Sequence, residues 1–327
     1  MLVVDTDTRQ RTALVGAATG VAVAALATLV LVLLLGGGAP ERAPAGLPEA
    51  SPVVTWALSA SPFALRVVGA VTVGFALLGG GYLGRQLTSR VRERASLLAE
   101  SWAFVWAGLI VVVAGLIVLE MRALGPGAPV LEQMAGSLRV RAMFVELVLV
   151  VLVSVAATLL PRLTLPFALL ALAPEMLTGH VRTADSPIVV GSSLVIHVVA
   201  ASLWVGGLIV LGWLALRHTS AWGDALPRYS QVALLSIVAL AITGTITALS
   251  RVGSLDQLFG SAYGIVVLLK ALALVSLAVL GFLQRQYVVG RAARRTRDFL
   301  LLAGTELTLM ALAFALASAL SQTPPPA

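Results

Sequence analysis

Nine apolar runs, separated by short polar segments rich in arginine, set the pattern of the chain: residues 12–35, 62–84, 97–119, 142–160, 163–178, 188–216, 229–249, 262–283 and 299–320. Most are close to or above the roughly 20 residues that carry a helix across the hydrocarbon of a bilayer. None shows the alternation of apolar and polar positions that marks a barrel strand. The pattern predicts an all-α integral membrane protein, a helical bundle of about nine transmembrane helices with eight as the alternative count. The fifth run is the shortest and holds Pro166 and Pro174. The first run is about 24 residues, too long for the apolar core of a signal peptide, and predicts an uncleaved anchor over 1–36. Residues 37–61, rich in Gly, Pro and Ala, predict a linker, and 62–321 the main bundle.

Composition agrees with the pattern. Of 327 residues, 59% are hydrophobic and 11% charged, against about 25% charged in soluble domains. The formal charge of +7 is no nucleic-acid signal, because the arginines stand in the short segments between runs, where they orient the spans. With the N-terminus cytoplasmic, 14 of the 22 Lys and Arg fall on the inner side. That orientation places the segment around His180 and the loop of Asp256 outside. The chain has no cysteine, which excludes disulfides and thiolate metal sites.

The residues with chemistry to offer gather in and around runs four to six. Glu146 lies three residues from Met143 on one face of run four. Glu175, Met176 and His180 follow Pro174 at the expected outer mouth. His197 and Trp204 stand seven residues apart on one stripe of run six, with Gly206 and Gly207 permitting close approach of another helix on that side. Lys270 and Glu306 are further charges inside runs, and such charges mark either a structural pair or an ion path. Imidazole and thioether without thiolate suit copper, thioether favouring the cuprous state. Each of these residues also has a plainer reading: methionine fills gaps in cores, His197 can be a hydrogen-bonded packing residue, and Trp204 packs.

Several stretches resemble one family. They are Gly179-His180, then His197 followed by Ala200-Ala201-Ser202-Leu203-Trp204-Val205-Gly206-Gly207-Leu208, Arg228-Tyr229-Ser230, Thr243-Gly244, and Tyr263-Gly264 with Lys270. Together they are similar to the bacterial copper resistance protein D family of multi-pass membrane proteins. The resemblance is looser over 46–84, and Ser321-Gln322-Thr323-Pro324 resembles the end of such a domain where longer relatives continue into an oxidase-assembly domain.

The resemblance implies copper handling across the cytoplasmic membrane, with import as the expected direction. It marks His180 and His197 as the best-matched metal ligands; Met176 and Glu175 join them by proximity, and Trp204, Glu146, Met143 and Lys270 are further candidates. Expected partners are the copper ion, the lipid bilayer and an extracytoplasmic copper chaperone, with no nucleic acid. No catalytic residues are expected, and the sequence has no Gly-rich phosphate loop. Two rival readings remain at this level: a haem-binding electron-transfer bundle with His197 as an axial ligand, and a non-catalytic assembly protein.

Overall fold

The computed structural model describes residues 3–323 except 42, 45, 46, 85, 86, 126, 128, 179–185, 218–221 and 289–295. The described residues form helices and no strand: α1 (Val3–Gly36), α2 (Pro52–Gly79), α3 (Ser89–Leu124), α4 (Val130–Gly136), α5 (Leu138–Leu159), α6 (Pro161–Ala171), α7 (Ala173–Met176), α8 (Pro187–Arg217), α9 (Trp222–Leu249), α10 (Leu255–Gly260), α11 (Ala262–Val288) and α12 (Thr296–Leu320). Among the described residues eight helices, α1, α2, α3, α5, α8, α9, α11 and α12, are long and apolar enough to cross a membrane. Side chains such as Phe144, Leu235 and Leu301 stand out from the bundle, as expected where the solvent is hydrocarbon.

Two predicted elements change shape. The fifth run is not a regular span but α6 and α7, broken at Leu172. Pro174 has no N–H for the Leu170 carbonyl, so α6 closes with a tightened turn in which Leu172 N–H bonds Leu169 O at 3.3 Å. The broken pair folds back along α5. It starts where Tyr82 Oη donates to Arg162 O at 2.8 Å, and it ends with Leu172, Glu175 and Met176 level with Glu146.

The linker is also shorter than 37–61, because α2 begins at Pro52. Ser51 is its N-cap, accepting from Val54 N–H, and Pro52 takes the first helical position, where a missing N–H leaves nothing unpaired. Pro62, which suggested the start of the span, lies inside the helix. It deprives the Leu58 carbonyl of its usual partner, and the Ser61 hydroxyl donates to that carbonyl instead at 2.8 Å.

α2 is the central helix. Two thirds (67%) of its apolar window is buried, against 44% or less for every other candidate span, and it packs on α3, α6, α8 and α12. Small residues make that position tenable. At Gly74 and Gly206 the backbones of α2 and α8 meet with no side chain between them: a Cβ on Gly206 would clash with Ala70 O and stand 2.7 Å from Gly74 N. Gly207 gives its space to the Tyr229 ring of α9, which a Cβ would meet at 2.8 Å. Both glycines thus admit neighbours, as the sequence led one to expect, one toward α2 and the other toward α9. Further along, the Phe75 and Trp213 rings meet edge to face at 5.8 Å between centroids.

α1 is part of the bundle rather than a detached anchor. Ala25, Leu29 and Leu33 are buried against Ala315 and Ala319 of α12. Beyond α1, Gly38 lies against the Gln322 backbone past the end of α12, and Gln322 Nε2 donates to Ser59 O of α2 at 2.8 Å.

Candidate functional site

The site is built on the α8–α9 hairpin. The two helices run antiparallel, with Ser193 Oγ donating to Thr243 O at 3.2 Å near one end and Tyr229 Oη donating to Trp204 O at 3.2 Å further along. That register brings His197 opposite Thr243, with His197 Nδ1 2.9 Å from Thr243 Oγ1. The Thr243 hydroxyl also lies 2.6 Å from the Ala239 carbonyl one turn back. A carbonyl only accepts, so the single hydroxyl proton is directed to Ala239 O, and Thr243 Oγ1 must accept from His197. The network therefore assigns the proton to Nδ1 and leaves a lone pair on Nε2. A metal-binding imidazole is held in this way, by a fixed bond at its other nitrogen.

His197 lines a half-open cavity of about 1110 Å³ between α2, α8, α9, α11 and α12 at the linker end of the bundle. Trp204, Glu175, Met176, Lys270 and Arg66 line the same cavity. Five of the candidates drawn from the sequence thus share one space: His197, Met176, Glu175, Trp204 and Lys270. Trp204 and Met176 are buried, at 4% exposure each. Lys270 and Arg66 both act electrostatically on His197, so the imidazole sits in a positive field. His180 lies outside the described residues, as does His218. Among the described residues no three His, Asp or Glu side chains come together as a metal cluster, and His197 stands as a single imidazole donor.

Glu146 and Met143 belong to a neighbouring compartment. Both are buried, on the α5 face turned inward. Trp106 Nε1 donates to Glu146 Oε1 at 2.8 Å, while Glu146 Oε2 and Arg66 Nε are buried without a partner. Both residues line a recess of about 10 Å³ together with Glu175 and Met176, roughly the size of one water. Arg66, Glu175, Met176 and Val198 border this recess and the large cavity alike, which makes them the wall between the two. Glu306 is buried on α12 with Oε1 unpartnered and acts on Tyr229; it is absent from the cavity lining that contains Lys270.

Thr243, Trp106 and the position of Arg66 were not singled out from the sequence as parts of a site. The signal for Thr243 was its place beside Gly244 in an apolar run, which becomes informative only once the hairpin register is known. Arg66 counted only as a topological charge near the start of a run. Trp106 carries no local sign of a buried carboxylate partner, which lies 40 residues away.

No solved structure matches the chain. The chain is similar to the copper transport protein CutJ of Bacillus subtilis (strain 168), with 30% identity over 125 residues, 36% of this chain and 23% of that protein. The matched chain thus spans about a quarter of the relative's length. The sequence profile of copper resistance protein D matches residues 223–320, a segment that runs from α9 to α12 and includes Thr243, Lys270 and Glu306 but stops short of His197. Over that segment, within a helical multi-pass membrane protein, the chain is similar to the copper resistance protein D family.

Proposed function

We propose that the chain transports copper across the cytoplasmic membrane in the inward direction, contributing to copper homeostasis. In this reading the linker-end cavity opens to the outer side, in agreement with the excess of Lys and Arg on the opposite side. Copper enters it, binds His197 Nε2 and passes toward the inner half of the bundle. The observation that carries the reading is the His197–Thr243–Ala239 network, which presents an unprotonated imidazole nitrogen at the wall of a cavity in a copper-family membrane protein. The Met176 thioether, in the same lining, adds a soft donor of the kind that suits cuprous ion. His180, matched by resemblance, is the expected entry ligand, and an extracytoplasmic chaperone the expected donor.

The test is cellular copper accumulation in strains carrying His197→Ala, His180→Ala and the double variant, beside the copper content of the purified proteins. The proposal expects loss of both readouts for His197→Ala and for the double variant. Unchanged accumulation would refute the site. An absorption spectrum of the same preparations separates the haem reading, since a Soret band lost with His197→Ala would replace copper by haem.

A further inference from the structure

We propose that the linker-end cavity receives copper together with an organic carboxylate ligand rather than as a bare ion. This rests on the copper reading of His197 and names the form in which the metal arrives. Three observations point to it.

The first is size. A cavity of about 1110 Å³ matches or exceeds the space that proteins give to small organic ligands, roughly 300–1,000 Å³, and a single metal ion with its first-shell waters would leave most of it unfilled.

The second is charge. The groups that act on His197 from the facing helices are cations, Lys270 of α11 and Arg66 of α2. A bare copper ion at Nε2 would meet two positive charges in a medium that screens them poorly. An anion seated between the metal and these cations turns repulsion into attraction. Of the carboxylates in the lining, Glu41 and Glu49 are on the linker, Glu120 is near the end of α3, and Glu175 shares the small recess with Arg66 and Glu146; Arg139 and Arg251 are further cations of the same lining.

The third is donor inventory. Arg66 is anchored through Nη1, which donates to Ser318 Oγ at 3.0 Å, while its Nε has no partner among the described residues; the side chain borders both the cavity and the recess that holds Glu146. The Ser202 hydroxyl, in the same lining, is also buried without a partner. Guanidinium, ammonium and hydroxyl all donate, and a carboxylate accepts from each of them. Leu194, Val198, Leu274 and Phe314 complete the lining with apolar surface suited to a carbon skeleton. That favours an organic acid over an inorganic anion.

The full-length protein in detergent tests this by equilibrium dialysis with radiolabelled citrate as the carboxylate probe, alone and with equimolar copper sulfate, the metal being counted in parallel. The expected result is citrate and copper retained together in about equal amounts by the wild type. Lys270→Gln should lower citrate retention about tenfold or more, and Lys270→Arg should return it to within about threefold of wild type. Copper retained without citrate overturns the proposal and leaves the copper reading standing. Citrate retained without copper overturns both the joint arrival and the copper reading. Retention of neither refutes both as well. If Lys270→Gln does not fold, the wild-type ratio of citrate to copper decides alone: near unity supports joint arrival, and copper alone overturns it.

Discussion

The contact between Gly74 and Gly206 makes a sharp prediction about what holds the two walls of the cavity together. In Gly206→Ala the new methyl would clash with Ala70 O and lie 2.7 Å from Gly74 N and 3.0 Å from Gly74 Cα. All three are backbone atoms, so no rotamer change relieves the overlap, and α2 must move away from α8 by roughly 1 Å to restore ordinary contact. Overpacking of this kind costs typically about 1–3 kcal/mol, partly offset by the helix propensity alanine gains over glycine, about 1 kcal/mol at most. The expected net loss is up to about 2 kcal/mol, or a fall in Tm of up to roughly 4 °C for a chain of this length, and the gap to a variant that gains the propensity without the clash is about 1–3 kcal/mol. Gly212→Ala is the internal control, on the same helix, where a Cβ meets nothing within 4 Å; it should match or slightly exceed wild type. The assay is thermal unfolding of purified proteins in one detergent, followed by intrinsic fluorescence or by loss of the monodisperse peak. Equal melting of Gly206→Ala and Gly212→Ala would refute the backbone crossing on which the site geometry rests.

Three further outcomes follow from named contacts. Thr243→Val keeps shape but removes the acceptor that fixes His197 Nδ1; copper affinity should fall about 10–100-fold, measured by chelator competition, and unchanged affinity would dissociate the hydroxyl from the site. Trp106→Phe deprives buried Glu146 Oε1 of its donor and should destabilise by about 1–3 kcal/mol, whereas the double change Trp106→Phe with Glu146→Leu should recover much of that loss in the same melting assay. A topology reporter inserted after Gly253, between α9 and α10, should read extracytoplasmic, and a cytoplasmic signal would invert the transport direction proposed.

The spans were legible in the sequence because hydrocarbon imposes a continuous apolar stretch on every helix it surrounds. What the sequence misjudged were the places where proline is accommodated. At 51–62 the capping pair Ser51-Pro52 was overlooked in favour of Pro62, whose helical setting depends on the Ser61 hydroxyl answering the Leu58 carbonyl. At 163–178 the prolines were visible, but a break at Leu172 cannot be told from a bend without the neighbouring α5. The site was legible as residue types: His197, Trp204, Met176, Glu175 and Lys270 were all identified and share one cavity. Its electrostatics were not, because Arg66 lies 131 positions before His197 in the sequence and only the packing of α2 at the centre of the bundle brings it into the same lining.

The glycine crossing also has a mechanical consequence. With bare backbones in contact at Gly74 and Gly206, α2 and α8 have no interleaved side chains there to act as gear teeth, and their easiest relative motion is rotation about that point. Arg66 and His197 lie on the same side of this fulcrum, about 12 Å and about 13 Å of helix rise away. A scissoring of 5° would therefore open or close the distance between guanidinium and imidazole by roughly 1 Å, with little change at the pivot itself. The two groups proposed to hold a ligand from opposite walls sit at the tips of a pair of tongs whose hinge is two hydrogen atoms wide.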